Sequence, residues 1–191
     1  VSWDSISLRS EEVMTLDFVY EYDSPVGPLK IASDGTALVG LWLEGQKYFE
    51  ATLGEVELNS ELPVFNETRT WLDRYFAGKQ PGAIPPVNPR GTAFRQQVWR
   101  LLAEIPYGCL VTYGELAHRL EDATGSRASA RAVGGAVGHN PISIILPCHR
   151  VVGSGGSLTG YAGGLAKKIA LLELEGVDMS KLTIPQKGTA L

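Results

Sequence analysis

Three side chains able to do chemistry stand in immediate succession at Cys148, His149 and Arg150. They follow an apolar run, I-S-I-I-L, which starts at Ile142 and is broken by Pro147. A thiol reacts as its thiolate, and flanking cations such as His149 and Arg150 favour that form, so the triplet fits nucleophilic chemistry at sulfur. Pro147 biases Leu146 toward extended backbone and removes a ladder donor, which predicts a buried strand from Ile142 that turns where Cys148 appears. Taken alone, Cys148 fits equally well as a small hydrophobe at a strand end, because adjacent strand residues point to opposite faces.

Two further patterns flank this triplet. Arg131, Gly134, Gly135 and Gly138 stand at i, i+3, i+4 and i+7 of a helix expected over 128–139, with Val133 and Val137 on another face. Each glycine costs about 1 kcal/mol relative to alanine in a helix interior, so the stripe has a reason. One reading is close approach of backbone to something large and flat, with one cation projecting. The other is tight helix–helix packing, which leaves Arg131 unexplained. After the triplet, a helix expected over 165–175 carries Lys167 and Lys168 at its positive end and Glu173 and Glu175 at its negative end. Each such placement is unfavourable by about 0.3–1 kcal/mol, and an acid retained there points to a specific partner.

The elements that must position these residues are legible in outline. Residues 14–22 alternate Leu16, Phe18, Tyr20 and Tyr22 with more polar neighbours, predicting a half-buried strand. Ser24-Pro25-Val26-Gly27 supplies a turn, and 29–33 and 37–43 are two more strands joined at Asp34-Gly35. A short helix is expected over 46–53, and a better one over 64–76 with Phe65, Thr68, Leu72 and Phe76 on one side, stopped by Gly78. No catalytic constellation stands out in these 80 residues, which read as scaffold. The stretch 78–91 holds four prolines and three glycines and reads as a connector. Thr92 then caps a helix to residue 104, and Cys109 in the apolar stretch 109–111 is expected in the core. Thr112-Tyr113-Gly114-Glu115 has capping-box spacing and opens a helix to about residue 120, which with 128–139 makes a helix-turn-helix. Asn140-Pro141 stops the second helix. The fold class is therefore α+β: an N-terminal scaffold (1–80) of small antiparallel sheet plus helix, a linker (81–91), and a mostly helical C-terminal unit (92–191). The first ten residues and the tail after Asp178 read as loosely ordered.

Composition narrows the function classes. With 44% hydrophobic and 20% charged residues among 191, the chain is that of an ordinary globular protein. No apolar run approaches the roughly 20 residues of a membrane helix, and the N-terminus lacks a basic-then-apolar leader, so a cytoplasmic location is expected. Two cysteines are too few for a disulfide framework or a zinc cage. The net charge of −4 is segregated: residues 1–86 carry −8 and residues 87–191 carry +4. No acid lies between Ala123 and Arg150, where Arg127, Arg131 and Arg150 fall, a distribution that permits a basic face for nucleic acid.

Taken together, the motifs resemble the O6-alkylguanine-DNA alkyltransferase family, also called methylated-DNA–protein-cysteine methyltransferases. The resemblance is carried by I-P-Y-G at Ile105, T-Y-G-E-L-A at Thr112, A-R-A-V-G-G-A at Ala130, N-P at Asn140, P-C-H-R-V-V at Pro147, G-Y-A-G-G at Gly160 and L-E-G at Leu174. In the first half only D-S-P-V-G-P-L at Asp23 and the sheet-plus-helix layout match. The resemblance implies a ribonuclease-H-like first unit and a winged-helix-like second one. It implies irreversible, single-turnover transfer of an alkyl group from O6-alkylguanine in double-stranded DNA to Cys148, with no cofactor and no metal. His149 would take the thiol proton through a water, Glu175 would orient His149, Asn140 would hold the turn, and Tyr113 would protonate the departing guanine. Arg131 would replace the flipped nucleotide, with Ala130, Ala132, Gly134, Gly135 and Gly138 against the minor groove. Val151, Tyr161, Ala162 and Val137 would line the guanine pocket.

Departures from the family pattern include a longer loop over 120–127, Gly138-His139 in place of a more basic pair, and Ala162 where others carry serine. The first half lacks the cysteine and histidine cluster of zinc-bearing relatives, and no phosphotriester-repair domain is expected. Activity on O4-alkylthymine stays open, as does cooperativity of a protein expected to be a monomer and nucleoid-associated. The alternative is an alkyltransferase-like lesion sensor, against which Cys148 argues. A transcription regulator should carry polar residues on its second helix for the major groove, and the Arg131 stripe has almost none. A cysteine hydrolase lacks a separate downstream His/Asn pair.

Overall fold

The computed structural model describes residues 15–185, so the expectations for the first ten residues and for 186–191 lie outside it, whereas residues 179–185 of the tail expected to be loose form a 3-10 turn, Met179–Lys181, and a bridge from Thr183 to Ser157. Strands β1 (Leu16–Ser24), β2 (Gly27–Ser33) and β3 (Leu38–Leu43) form the expected antiparallel meander, with Tyr20 opposite Ile31 and Leu29 opposite Leu43. A fourth strand, β4 (Glu55–Leu58), was not expected; it pairs parallel to β1, so the sheet is mixed in the order β3-β2-β1-β4. Its E-V-E-L sequence is exposed throughout and carries no burial periodicity to recognise. The expected helix over 46–53 is absent. That segment is a series of turns with Tyr48 and Glu50 at positive φ, and with Leu53 it covers the second face of the sheet over Val19, Ala32, Val39 and Trp42.

Helix α1 (Pro63–Phe76) starts on a proline at its first turn, a position that needs no N–H, and ends before Gly78 at φ 70°. It buries Phe65, Thr68, Trp71, Leu72 and Tyr75, with the Phe65 ring against Tyr20 of β1 at 4.7 Å. The connector is ordered: the Leu38 N–H donates to the Pro86 carbonyl and the Asn88 N–H to the Leu38 carbonyl. Arg90 clasps the buried Asp17 with two bonds of 2.6 Å. The proline-rich stretch thus covers part of the outer edge of β3 instead of swinging free.

Helix α2 (Ala93–Ala103) is capped by Thr92, and α3 (Tyr113–Thr124) by the expected capping box between Thr112 and Glu115. α3 runs one turn beyond the expected end, to Gly125 at φ 68°. Ser129 caps α4 (Ala130–Gly138), and the Trp99 indole N–H donates to the Ala136 carbonyl, tying α2 to the inner face of α4. Two short parallel strands, β5 (Val111–Thr112) and β6 (Val151–Val152), lie beside the helices, and α5 (Leu165–Leu174) closes the fold before Gly176. Cys109 is exposed, which corrects its expected place in the core.

Both halves of the chain feed one apolar cluster. It contains Leu29, Ile31 and Leu41 of the sheet, Phe65, Leu72 and Tyr75 of α1, Val98 and Leu102 of α2, and Val133, Val137, Cys148 and Leu171. Cys148 therefore belongs to a core that both halves share.

Candidate active site

The run after Asn140 is not the expected strand. Only Ile142 pairs, in a parallel bridge to Leu41 on β3, and the chain then turns through Ser143–Ile145 into a single 3-10 turn, Cys148–Arg150. Ile144 adopts φ 69° while fully buried, a conformation that a β-branched residue rarely takes. Asn140 holds this path. Its Oδ1 accepts from the Ile142 N–H at 3.0 Å, and its Nδ2 reaches the Leu146 carbonyl at 2.7 Å, the Ile142 carbonyl at 3.3 Å and Cys148 Sγ at 3.1 Å. The first half grips the same turn, because Ser143 Oγ donates to Gln46 Oε1 at 3.0 Å. One amide side chain thus fixes both the backbone and the thiol, and a strained turn of this kind persists only under such restraint.

Cys148 is 3% exposed. Burial pushes its thiol up, and the Asn140 hydrogen bond and the Lys168 charge only partly offset this. The flanking cations therefore do not make a resting thiolate, contrary to the sequence expectation. The reason is visible in the geometry: His149 and Arg150 are turned to Glu175. His149 Nε2 lies 2.6 Å from Glu175 Oε1, Arg150 Nε is 2.8 Å from Oε2, and Arg150 Nη2 is 3.0 Å from Oε1. The Gly108 N–H adds a further donor to Oε2 at 3.0 Å. Burial pushes the Glu175 carboxyl up, but the hydrogen bonds from His149 and Arg150 and the Arg150 charge, joined by a His149 charge once that ring protonates in acid, outweigh it and bring it down to about 2. Burial holds His149 below the usual imidazole range, so it is neutral near pH 7. With Nε2–H directed at a carboxylate, Nδ1 carries the lone pair, and Nδ1 is buried without a protein partner.

Three of the four reversed charges on α5 thereby have partners. Glu175 is the C-cap residue, and its partners are those just named. Lys168 is fully buried, donates to the Val151 carbonyl at 2.6 Å and the Thr159 carbonyl at 3.0 Å, and is brought down to about 8 by burial. Lys167 Nζ donates to the Glu44 carbonyl at 2.6 Å.

Around the thiol, Val151, Val137 and Tyr161 are buried in the same cluster, whereas Ala162 is half-buried. The Tyr161 hydroxyl is buried without a partner. Gly163 permits this packing, since a Cβ there would meet Tyr161 at 2.7 Å and Leu43 at 3.0 Å. The Tyr113 hydroxyl donates to the Gly160 carbonyl at 3.1 Å and the Thr159 carbonyl at 3.3 Å. Burial and the nearby Cys148 keep its proton bound well above the usual phenol range.

Arg131, Ala130 and Ala132 are exposed on the first turn of α4, and Gly134, Gly135 and Gly138 are half-buried along it. A Cβ on Gly135 would meet nothing within 4 Å, and one on Gly134 only the Tyr113 ring at 3.6 Å. Internal packing does not require glycine at either position, which removes the tight-packing reading there. The inner face of α4 is Val133, Ala136 and Val137, of which Val133 and Val137 were expected on a face apart from the glycines. His139, the C-cap residue of this helix, stacks on Tyr48 at 4.0 Å.

Sequence reasoning missed three participants. Tyr75, Gln46 and Lys168 reach the site from α1, the turn after β3 and α5. Only Lys168 left a trace, as a cation at the unfavourable helix end. Among the described residues no group of three or more His, Cys, Asp or Glu is placed to hold a metal ion. No described helix is long and apolar enough to cross a membrane.

A thiol held by an amide, with a neutral imidazole and an anchored carboxylate behind it, places the chain among proteins that use a cysteine as nucleophile, here beside a helix-turn-helix. Comparison with known proteins gives the particular lineage. Residues 93–177 match the DNA-binding domain of 6-O-methylguanine DNA methyltransferase, and residues 19–82 its ribonuclease-like domain. The methylated-DNA–protein-cysteine methyltransferase of Haemophilus influenzae is 45% identical over 177 residues, covering 92% of this chain and 93% of its own. That of Mycobacterium tuberculosis is 45% identical over 153 residues, covering 80% and 88%. The solved M. tuberculosis O6-methylguanine methyltransferase superposes with a TM-score of 0.71 at 41% identity, covering 90% and 96%. The M. tuberculosis protein in complex with DNA gives 0.70 at 41%, covering 87% and 94%. The chain belongs to the 6-O-methylguanine DNA methyltransferase family.

Proposed function

We propose that this protein repairs DNA by direct reversal, moving the alkyl group of O6-alkylguanine onto its own Cys148 once and irreversibly. The observation that carries the reading is the free Nδ1 of a neutral His149 whose other nitrogen is committed to Glu175. A buried neutral thiol needs a base at the moment of reaction, and this imidazole is one. In the reaction, His149 takes the Cys148 proton through a bridging water. The sulfur forms a bond to the alkyl carbon as the bond from that carbon to guanine O6 breaks, and Tyr113 gives a proton to the departing guanine. Tyr113 exchanges its bonds to the 159 and 160 carbonyls for the base in doing so. Asn140 keeps Sγ aimed, and Val151, Tyr161, Ala162 and Val137 shape the guanine pocket.

DNA is the partner, and the reading extends to how it is held. The α4 stripe lies in the minor groove, where Gly135 lets backbone approach closely and Arg131 fills the place of the extruded nucleotide. This mode reads little sequence, which suits a lesion found anywhere. The chain divides into a scaffold (1–80), a connector (81–91) and an alkyl-acceptor unit (92–191), works as a monomer without cofactor, and acts at the nucleoid in the cytoplasm. A lesion sensor without transfer has no use for the thiol and its base. The test is a single-turnover assay on a duplex with one O6-methylguanine. Guanine should form in an amount equal to the protein added; continued turnover or no guanine would refute the proposal.

A further inference from the structure

We infer that Tyr75, from the first half of the chain, is a positioning residue for the His149–Glu175 pair, so the N-terminal unit completes the active site instead of only supporting it. The inference rests on the reading that His149 is the base. Tyr75 is fully buried, and its hydroxyl donates to Glu175 Oε1 at 2.7 Å while lying 3.3 Å from His149 Nε2. Both partners come from the other half of the chain. The ring is held on its face by Trp71, with centroids 5.4 Å apart and planes 7° apart, and on its edges by Phe76, Tyr107 and His149.

A phenylalanine would fill the same space, so the packing does not account for the hydroxyl. Its two partners do. Burial and the Glu175 charge push the Tyr75 phenol far above its usual range, so it donates throughout the working pH range. Oε1 thus receives Tyr75, His149 and Arg150 at once, which spreads the carboxylate charge and moderates its pull on the imidazole proton. The groups facing the pair are Tyr75 from α1, Arg150 and Cys148 from the active-site turn, Tyr107 before β5, and Tyr161 and Lys168 from the last segment. Removing the phenol leaves Glu175 a stronger base, raises His149 toward protonation, and so withdraws the neutral imidazole at mildly acid pH.

The experiment compares wild type and Tyr75→Phe in single-turnover alkyl transfer from an O6-methylguanine duplex across pH, with thermal melting of each. Tyr75→Phe should transfer about tenfold more slowly at neutral pH, the loss expected for one hydrogen bond to a charged group, with the acid limb of its profile moved to higher pH. An unchanged rate overturns the inference. So does a rate lowered equally at every pH with the limb unmoved, the mark of a purely structural role. If wild type itself transfers nothing, the alkyl-acceptor reading fails, whereas a competent wild type with an unmoved Tyr75→Phe profile overturns this inference alone.

Discussion

His149 Nε2 lies 2.6 Å from Glu175 Oε1, and this contact decides which ring nitrogen keeps its lone pair. It also stores stability that depends on pH. The Glu175 carboxyl is depressed from its ordinary 4.5 to about 2, so its contribution is fully present above about pH 4.5 and is lost as pH falls through about 2. Glu175→Gln should destabilise the fold by about 3 kcal/mol at neutral pH, because Arg150 is left buried without its counter-charge. Denaturant midpoints measured over the acid range should fall less steeply for the variant than for wild type; parallel curves would contradict the assignment.

Gly135 separates DNA contact from internal packing. Its Cβ position is open, so Gly135→Ala should raise thermal stability, by up to about 1 kcal/mol from helix propensity. The same change should weaken duplex binding about tenfold, read by fluorescence anisotropy with labelled DNA. A destabilised variant with unchanged DNA affinity would return the stripe to a packing role.

Arg131 is exposed and is assigned no part in the chemistry at sulfur. Arg131→Ala should slow repair of duplex DNA by at least about tenfold while leaving reaction with free O6-benzylguanine nearly unchanged. Equal loss on both substrates would contradict its part in base extrusion.

The two cysteines should behave oppositely toward a small thiol reagent. Cys109 is exposed, whereas Cys148 is buried and its thiol is pushed up by burial. Brief iodoacetamide treatment of the folded protein near pH 7 should label Cys109 first, as mapped by peptide mass. Preferential labelling of Cys148 would mean that the thiol is more open and more acidic than its surroundings imply.

How far the sequence reached depended on how local each signal was. The three meander strands, the capping box at Thr112 and the Arg131 stripe are written in short-range periodicity, and the structure places them as expected. β4 escaped because its four residues are all exposed and its pairing is with a strand far off in the chain. The helix expected over 46–53 failed because Tyr48 and Glu50 take left-handed backbone, under restraints that come from tertiary contact. The strand expected after Ile142 failed for the same reason: Asn140 and the edge of β3 bend an apolar run into a turn. Adjacency suggested that His149 and Arg150 serve Cys148 directly, but both turn to a carboxylate 26 and 25 residues on. Glu175 was hinted at by its position against the helix dipole, whereas Tyr75, 100 residues from its partner, left no signal at all.

The most direct test of the account is peptide mass mapping after incubation with a duplex containing one O6-methylguanine. The account predicts one added methyl per protein, found on the peptide that carries Cys148, and none on a Cys148→Ala variant that still binds the duplex. A methyl on Cys109 or elsewhere, or full conversion of the lesion with Cys148 unmodified, would contradict it.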